Sequence, residues 1–322
     1  MPTQRVPALF VTIRDRTTDL PQLSLEKRLL TERPLLLDGP MGTELACRGV
    51  SIDGSDWSAA AISSAPDVIA AIHRDYLLAG TELLTANTFR THARNLKAIR
   101  KEGKAEQLTL LAVKLAREAA GETAWVAGSQ APLEDCYRPE RTPSQKELET
   151  EHHQMAEHLA AAGVDVILAE THPTIREAEA VVLAARNVGL PVMVSFVCGR
   201  DGRLLSGESL SEAAAVVLQY GPLAILVNCL PAESAEEAVQ ELVKVAGKTP
   251  VGVYANVGFS DAQGHWTQTD AQDPAVYAGH AEMWLSHGAK VLGGCCGTTP
   301  GHITLLRRLI EAERNSDVPS RD

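Results

Sequence analysis

Eight short apolar, β-branched runs punctuate this chain and constrain its fold more than any other feature. They are LLLD (35–38), ELLTANTF (82–89), AWVAGS (124–129), DVILAE (165–170), PVMVSF (191–196), AILVNC (224–229), PVGVYAN (250–256) and AKVLGGCC (289–296). Nearly continuous apolar runs suit parallel strands that are buried on both faces. Between them lie segments with apolar residues at three-and-four spacing. SAPDVIAAIHRDYLLAG carries Pro66 near its start and Gly80 as its stop, and KELETEHHQMAEHLAAAG, LSEAAAVVLQYG, AESAEEAVQELVKVAG and DPAVYAGHAEMWLSHG also end on glycine. Eight β-α units in succession predict an α/β chain folded as a single-domain (β/α)8 TIM barrel. An open doubly wound sheet is the alternative, and no Gly-x-Gly-x-x-Gly fingerprint follows the first run to support it. No low-complexity linker divides the 322 residues. Residues 1–22 read as an N-terminal tail, poorly ordered or laid as a lid over the barrel floor. The expected barrel spans 23–315, starting with the helical LSLEKRLLTER, and 316–322 form a C-terminal tail.

Charge and cysteine content narrow the function. The net charge is −11 and no Lys/Arg cluster stands out, which argues against a nucleic-acid partner. No apolar run approaches a membrane span. The early VPALFVTI is short, runs into RDRTTD and lacks a cleavage pattern, so it does not read as a signal peptide. Six cysteines in such a chain do not suggest a disulfide framework. The expectation is a cytoplasmic protein with free thiols or a metal site.

Polar residues gather at the carboxyl ends of the predicted strands. These are Asp38, Asn87, Ser129, Glu170, Asn228 with Cys229, Asn256, and the pair Cys295–Cys296. Barrel enzymes build their active sites at that face. Strands six and eight are alternate strands, so Cys229 is expected to meet Cys295 and Cys296 across strand seven. Neighbouring side chains on a regular strand point apart, so the adjacent cysteines can share one ion only if the backbone bends; the glycines around them allow this. Three thiolates with an open fourth position describe a catalytic zinc site. Cys47 and Cys136 read as small hydrophobes. Cys198, just past strand five, would close the site if it joined.

The segments LLLDGPMGTEL, AGTELLTANTF, VAGSQAP, GVDVILAET, VNC, VYANVG and GAKVLGGCCGTTPGHI, with Trp57, Pro66, His73 and Tyr76, resemble the zinc-dependent homocysteine S-methyltransferases. They run in family order over residues 33–305. The resemblance implies a TIM barrel with Zn2+ bound by Cys229, Cys295 and Cys296, and with homocysteine sulfur in the fourth position. It places Asp38 and Glu170 near the substrate amino group, and backbone amides of the turn Gly39, Pro40, Met41, Gly42 at its carboxylate. Asn87 and Ser129 are further substrate-binding candidates. Asn256 matches the asparagine that fills the fourth zinc position before substrate. Pro40 replaces the family's second glycine and removes one backbone N–H.

The methyl donor is the open choice. A quaternary ammonium wants an aromatic cage, yet aromatics are only 4% and position 90 is Arg. Betaine is therefore disfavoured, and S-methylmethionine or S-adenosylmethionine is expected. One alternative is a stand-alone homocysteine-activating module that accepts methyl from a separate corrinoid protein. Another is a non-catalytic barrel with a structural zinc, which a fourth ligand such as Cys198 would reveal. A homo-oligomer is allowed by the sequence.

Overall fold

The computed structural model describes residues 23–316, apart from residue 55 and residues 261–265. The two expected tails fall outside this range, except that the last helix, Pro300–Ser316, reaches one residue into the second. All eight apolar runs contain strands. They are β1 (Leu35–Leu36), β2 (Leu83–Ala86), β3 (Trp125–Gln130), β4 (Val166–His172), β5 (Val192–Phe196), β6 (Ala224–Pro231) and β7 (Val251–Asn256); an antiparallel hairpin, β8 (Gly258–Ser260) with β9 (Trp266–Gln268), precedes the final strand β10 (Ala289–Gly294). The hairpin is not among the eight expected strands.

The parallel order is β1-β10-β7-β6-β5-β4-β3-β2. A parallel bridge between Leu37 and Leu83 joins the two ends, and the Glu82 amide donates to the Leu36 carbonyl at 2.8 Å. The molecule is thus a (β/α)8 barrel with a thin seam. Among the described residues no helix is long and apolar enough to cross a membrane.

The pleat sorts the apolar residues into two layers. Leu35, Leu37, Leu168, Met193, Leu226 and Val291 fill the barrel interior. Their neighbours Leu36, Ile167, Val194, Ile225, Val227 and Leu292 face the surrounding helices. Leu25 and Leu29, on the helix Leu25–Leu29, plug the floor. Arg28 on that helix is buried and clamps Glu82 through Nε at 2.9 Å and a second nitrogen at 3.0 Å. Arg33 and Arg307 reach the same carboxylate. This cluster ties the first helix, the last helix and the start of β2 together beside the seam.

Two strands break their register at the opposite, carboxyl rim. The β4–β5 ladder shifts between Ala169 and His172, and the β6–β7 ladder between Asn228 and Pro231. Thr171 and Cys229 sit inside these irregularities with φ of 65° and 61°. Left-handed backbone is uncommon for residues with a Cβ, and a β-branched one there is an outlier. Such bulges re-aim side chains at barrel rims.

Candidate metal centre

The bulge turns Cys229 toward the end of β10. That strand stops at Gly294, so Cys295 and Cys296 lie beyond the pleat. The Thr298 amide and hydroxyl both donate to the Cys295 carbonyl, at 3.0 and 2.9 Å, and Gly297 takes φ of 82°. The turn swings both sulfurs to one side. Gly293 and Gly294 serve differently from the expected hinge. A Cβ on Gly293 would lie 2.8 Å from the Leu37 Cβ, and one on Gly294 would overlap the Thr298 side chain. Both are close-packing glycines, and Gly297 supplies the turn.

Cys229 Sγ lies 3.6 Å from Cys295 Sγ and 4.0 Å from Cys296 Sγ. This trio is the one His/Cys/Asp/Glu cluster among the described residues with metal-binding spacing. The Cys295 and then the Cys296 S–H groups hold the Cys229 thiol well below its ordinary pKa. Their own thiols are pushed up, chiefly by hydrogen bonding to Cys229. A divalent ion held by the trio would let all three ionise. Asn256 is buried at the end of β7, acts on Cys229, and has a carbonyl oxygen Oδ1 with no hydrogen-bond partner. Three soft thiolates and an orphaned amide oxygen form a donor set that suits zinc.

The other cysteines stay out. Cys47 is exposed and Cys198 is buried. Cys198 forms a bridge with Leu204, and burial pushes its thiol up to about 12. Cys136 is also buried, yet it lines the same cavity as the trio.

That cavity, about 800 Å³, opens at the carboxyl rim and brings together Asp38, Gly39, Met41, Gly42, Asn87, Ser129 and Glu170 with the three cysteines. Asp38 accepts from the Thr85 amide at 2.7 Å and hydroxyl at 2.8 Å, but burial outweighs these and raises its pKa to about 7. Glu170 accepts from the Ser129 hydroxyl and from Tyr254 OH at 3.2 Å, and burial again raises it to about 7. A cationic group bound beside these two carboxyls would favour their ionised forms.

Gly39 and Gly42 are required by packing. A Cβ on Gly39 would lie 2.6 Å from Tyr76 OH, and one on Gly42 would overlap the Trp57 ring. Pro40 is the N-cap of the helix Met41–Cys47 and offers that helix no side-chain cap, so the amides of its first turn keep their donors. Asn87 has a different task. Its Oδ1 accepts from the Ser58 hydroxyl at 2.7 Å and its Nδ2 donates to the Ser58 carbonyl at 2.9 Å, which fixes the Trp57 turn.

Sequence reasoning missed Tyr137, whose hydroxyl lies 3.0 Å from Cys229 Sγ. It sits in the loop YRPERTPSQ, where only polarity was legible. Tyr254 was hidden inside the β7 run, although its place one pleat from Asn256 was a usable sign.

A cavity at the carboxyl face of a (β/α)8 barrel, walled by a three-thiol cluster with metal-binding spacing and two buried carboxyls, is the layout of a barrel enzyme. Comparison with known proteins makes this specific. The family profile described as homocysteine S-methyltransferase matches residues 35–310. Homocysteine S-methyltransferase of Escherichia coli (strain K12) is 32% identical, over 85% of this chain and 94% of that one. Homocysteine S-methyltransferase YbgG of Bacillus subtilis (strain 168) is 30% identical, over 86% and 95%. The crystal structure of the Escherichia coli homocysteine methyltransferase MmuM in a metallated form superposes with a TM-score of 0.76 at 30% identity, covering 88% of this chain and 98% of that one. The chain belongs to the homocysteine S-methyltransferase family, and is a methyltransferase.

Proposed function

We propose that this protein methylates the thiol of homocysteine to give methionine, using zinc and a small sulfonium donor such as S-methylmethionine or S-adenosylmethionine. The observation that carries the reading is the placement of Cys229, Cys295 and Cys296 in one cavity with Asp38 and Glu170. An amino-acid thiol needs both ends met. Zinc held by the three cysteines would supply the charge that keeps the homocysteine thiol deprotonated near neutral pH.

Asp38 and Glu170 receive the substrate ammonium, and Ser129 and Tyr254 orient Glu170 for it. The first amides of the helix Met41–Cys47 are placed for the carboxylate. Asn256, which hydrogen-bonds Cys229 and has an unpartnered carbonyl oxygen, would be a further ligand for the zinc until substrate sulfur takes its place. The thiol proton leaves to solvent. The sulfur then attacks the donor methyl carbon, a new C–S bond forms, and the electron pair of the broken bond stays on the donor sulfur as a thioether. Trp57 and Phe89 meet edge to face at 5.7 Å, and Arg90 lies over Phe89 at 5.1 Å. With one face covered by Arg90, Phe89 is a poor wall for the aromatic cage that a quaternary ammonium wants.

The test is methionine formation by purified protein from homocysteine and each donor in turn, with metal analysis. We expect about one zinc per chain, lost on Cys229→Ser, and turnover with a sulfonium donor. Transfer from a methylated corrinoid protein alone would sink the donor assignment; a zinc-replete chain inert with every donor would sink the function.

A further inference from the structure

We infer that Asn228 is a positioning residue that couples the substrate-binding carboxylate of Glu170 to the thiol of Cys229; the inference rests on the function proposed above. Asn228 is fully buried on β6, immediately before Cys229. Its Oδ1 accepts two hydrogen bonds, from the Thr171 amide at 3.0 Å and the Ser195 hydroxyl at 2.7 Å. Its Nδ2 donates to the Thr171 hydroxyl at 2.8 Å. One side chain therefore latches the ends of β4, β5 and β6.

The latch falls at two irregular points of the backbone. Thr171 follows Glu170, and Cys229 follows Asn228; both second residues are left-handed without being glycine. A β-branched residue holds that conformation only where its surroundings enforce it. At Thr171 the enforcement comes from Asn228, which engages both its amide and its hydroxyl. The bulge there breaks the β4–β5 ladder, so the Thr171 amide has no strand partner in its place. Releasing the latch lets Thr171 relax toward extended backbone. That rotation displaces Glu170 from Ser129 and Tyr254.

The experiment compares the zinc-loaded chain with Asn228→Ala and with Asn228→Ala/Thr171→Gly. The readouts are the homocysteine dissociation constant by calorimetry and backbone hydrogen exchange across residues 166–172 and 224–231. In Asn228→Ala we expect affinity to fall about tenfold or more, equivalent to about 1.4 kcal/mol, with faster exchange at Thr171. Glycine adopts the left-handed region freely, so the double variant should recover most of the lost affinity. Thr171→Val keeps the shape, removes the hydroxyl acceptor, and serves if Asn228→Ala does not fold; a weaker loss of the same kind is expected. Unchanged affinity in Asn228→Ala, or no recovery in the double variant, overturns the positioning role alone. A zinc-loaded unsubstituted chain that binds no homocysteine overturns the role together with the function it serves.

Discussion

Glu170 and Asp38 show how a single side chain is tuned by the barrel. Each carboxyl has hydrogen-bond donors, yet burial lifts both to about 7. A folded-state pKa above the ordinary carboxylate range gives stability that is full at acid pH and is lost as pH rises through about 7. Ligand binding carries the opposite trend, because an ammonium favours the ionised forms. Methionine lacks a thiol and isolates this effect. Its affinity should rise with pH up to about 7 and then level off. Glu170→Gln should weaken it by about 1.5–3 kcal/mol, the worth of a charge-assisted hydrogen bond, and flatten the pH profile; calorimetric titration reads both, and an affinity indifferent to pH in the unsubstituted chain would remove the carboxyls from the site. Tyr137 acts on the metal side. With its hydroxyl 3.0 Å from Cys229 Sγ, Tyr137→Phe should loosen zinc by about tenfold, in the range for groups bonded to metal ligands. Competition with a chromophoric chelator measures this, and equal zinc affinity in the two proteins would show that the contact has no hold on the metal.

At the scale of elements, the turn after β10 and the floor below β2 have separable tasks. Gly294→Ala would force a methyl group into Thr298, whose amide and hydroxyl hold the Cys295 carbonyl. We expect zinc content to fall while far-ultraviolet circular dichroism stays that of the parent; full zinc occupancy would mean that the turn tolerates the shift. Glu82→Ala attacks the floor instead. It strands the buried guanidinium of Arg28, and removing one partner of a buried pair costs about 3–5 kcal/mol. Denaturant unfolding should show that loss with zinc binding intact, since Glu82 belongs to the amino end of its strand and the cysteines to the other face.

A metal held by the three thiols would be coupled to the fold of the whole molecule, because the thiols come from strands far apart in sequence. Cys229 and Cys295 are brought together only when β6, β7 and β10 are paired. A metal that binds the native state alone stabilises it by about 4 kcal/mol at a thousand times its dissociation constant. Adding a strong chelator should therefore lower the melting temperature of the parent by several degrees and leave Cys229→Ser unmoved. An equal shift in both would place the stabilising metal elsewhere.

The eight strands were legible in the sequence because a strand buried on both faces has no choice but a continuous apolar run, and the helices between them because amphipathic spacing is local. Glycines 80 and 163 end their helices in left-handed backbone for the same local reason. The cysteines, Asp38 and Glu170 could be picked out because polar residues at strand ends mark the carboxyl rim of any barrel. Other features depended on contacts between distant segments. Asn87 and Asn228 look alike as strand-end amides, yet one is consumed by Ser58 and the other latches Thr171. Tyr137 reaches Cys229 across 92 positions of sequence. The turn that frees Cys295 and Cys296 from the pleat is set by Thr298 and Gly297. Local pattern fixes where a strand begins and what it buries; which polar atoms meet at its end is decided by closure of the barrel, and closure is a property of the tertiary structure alone.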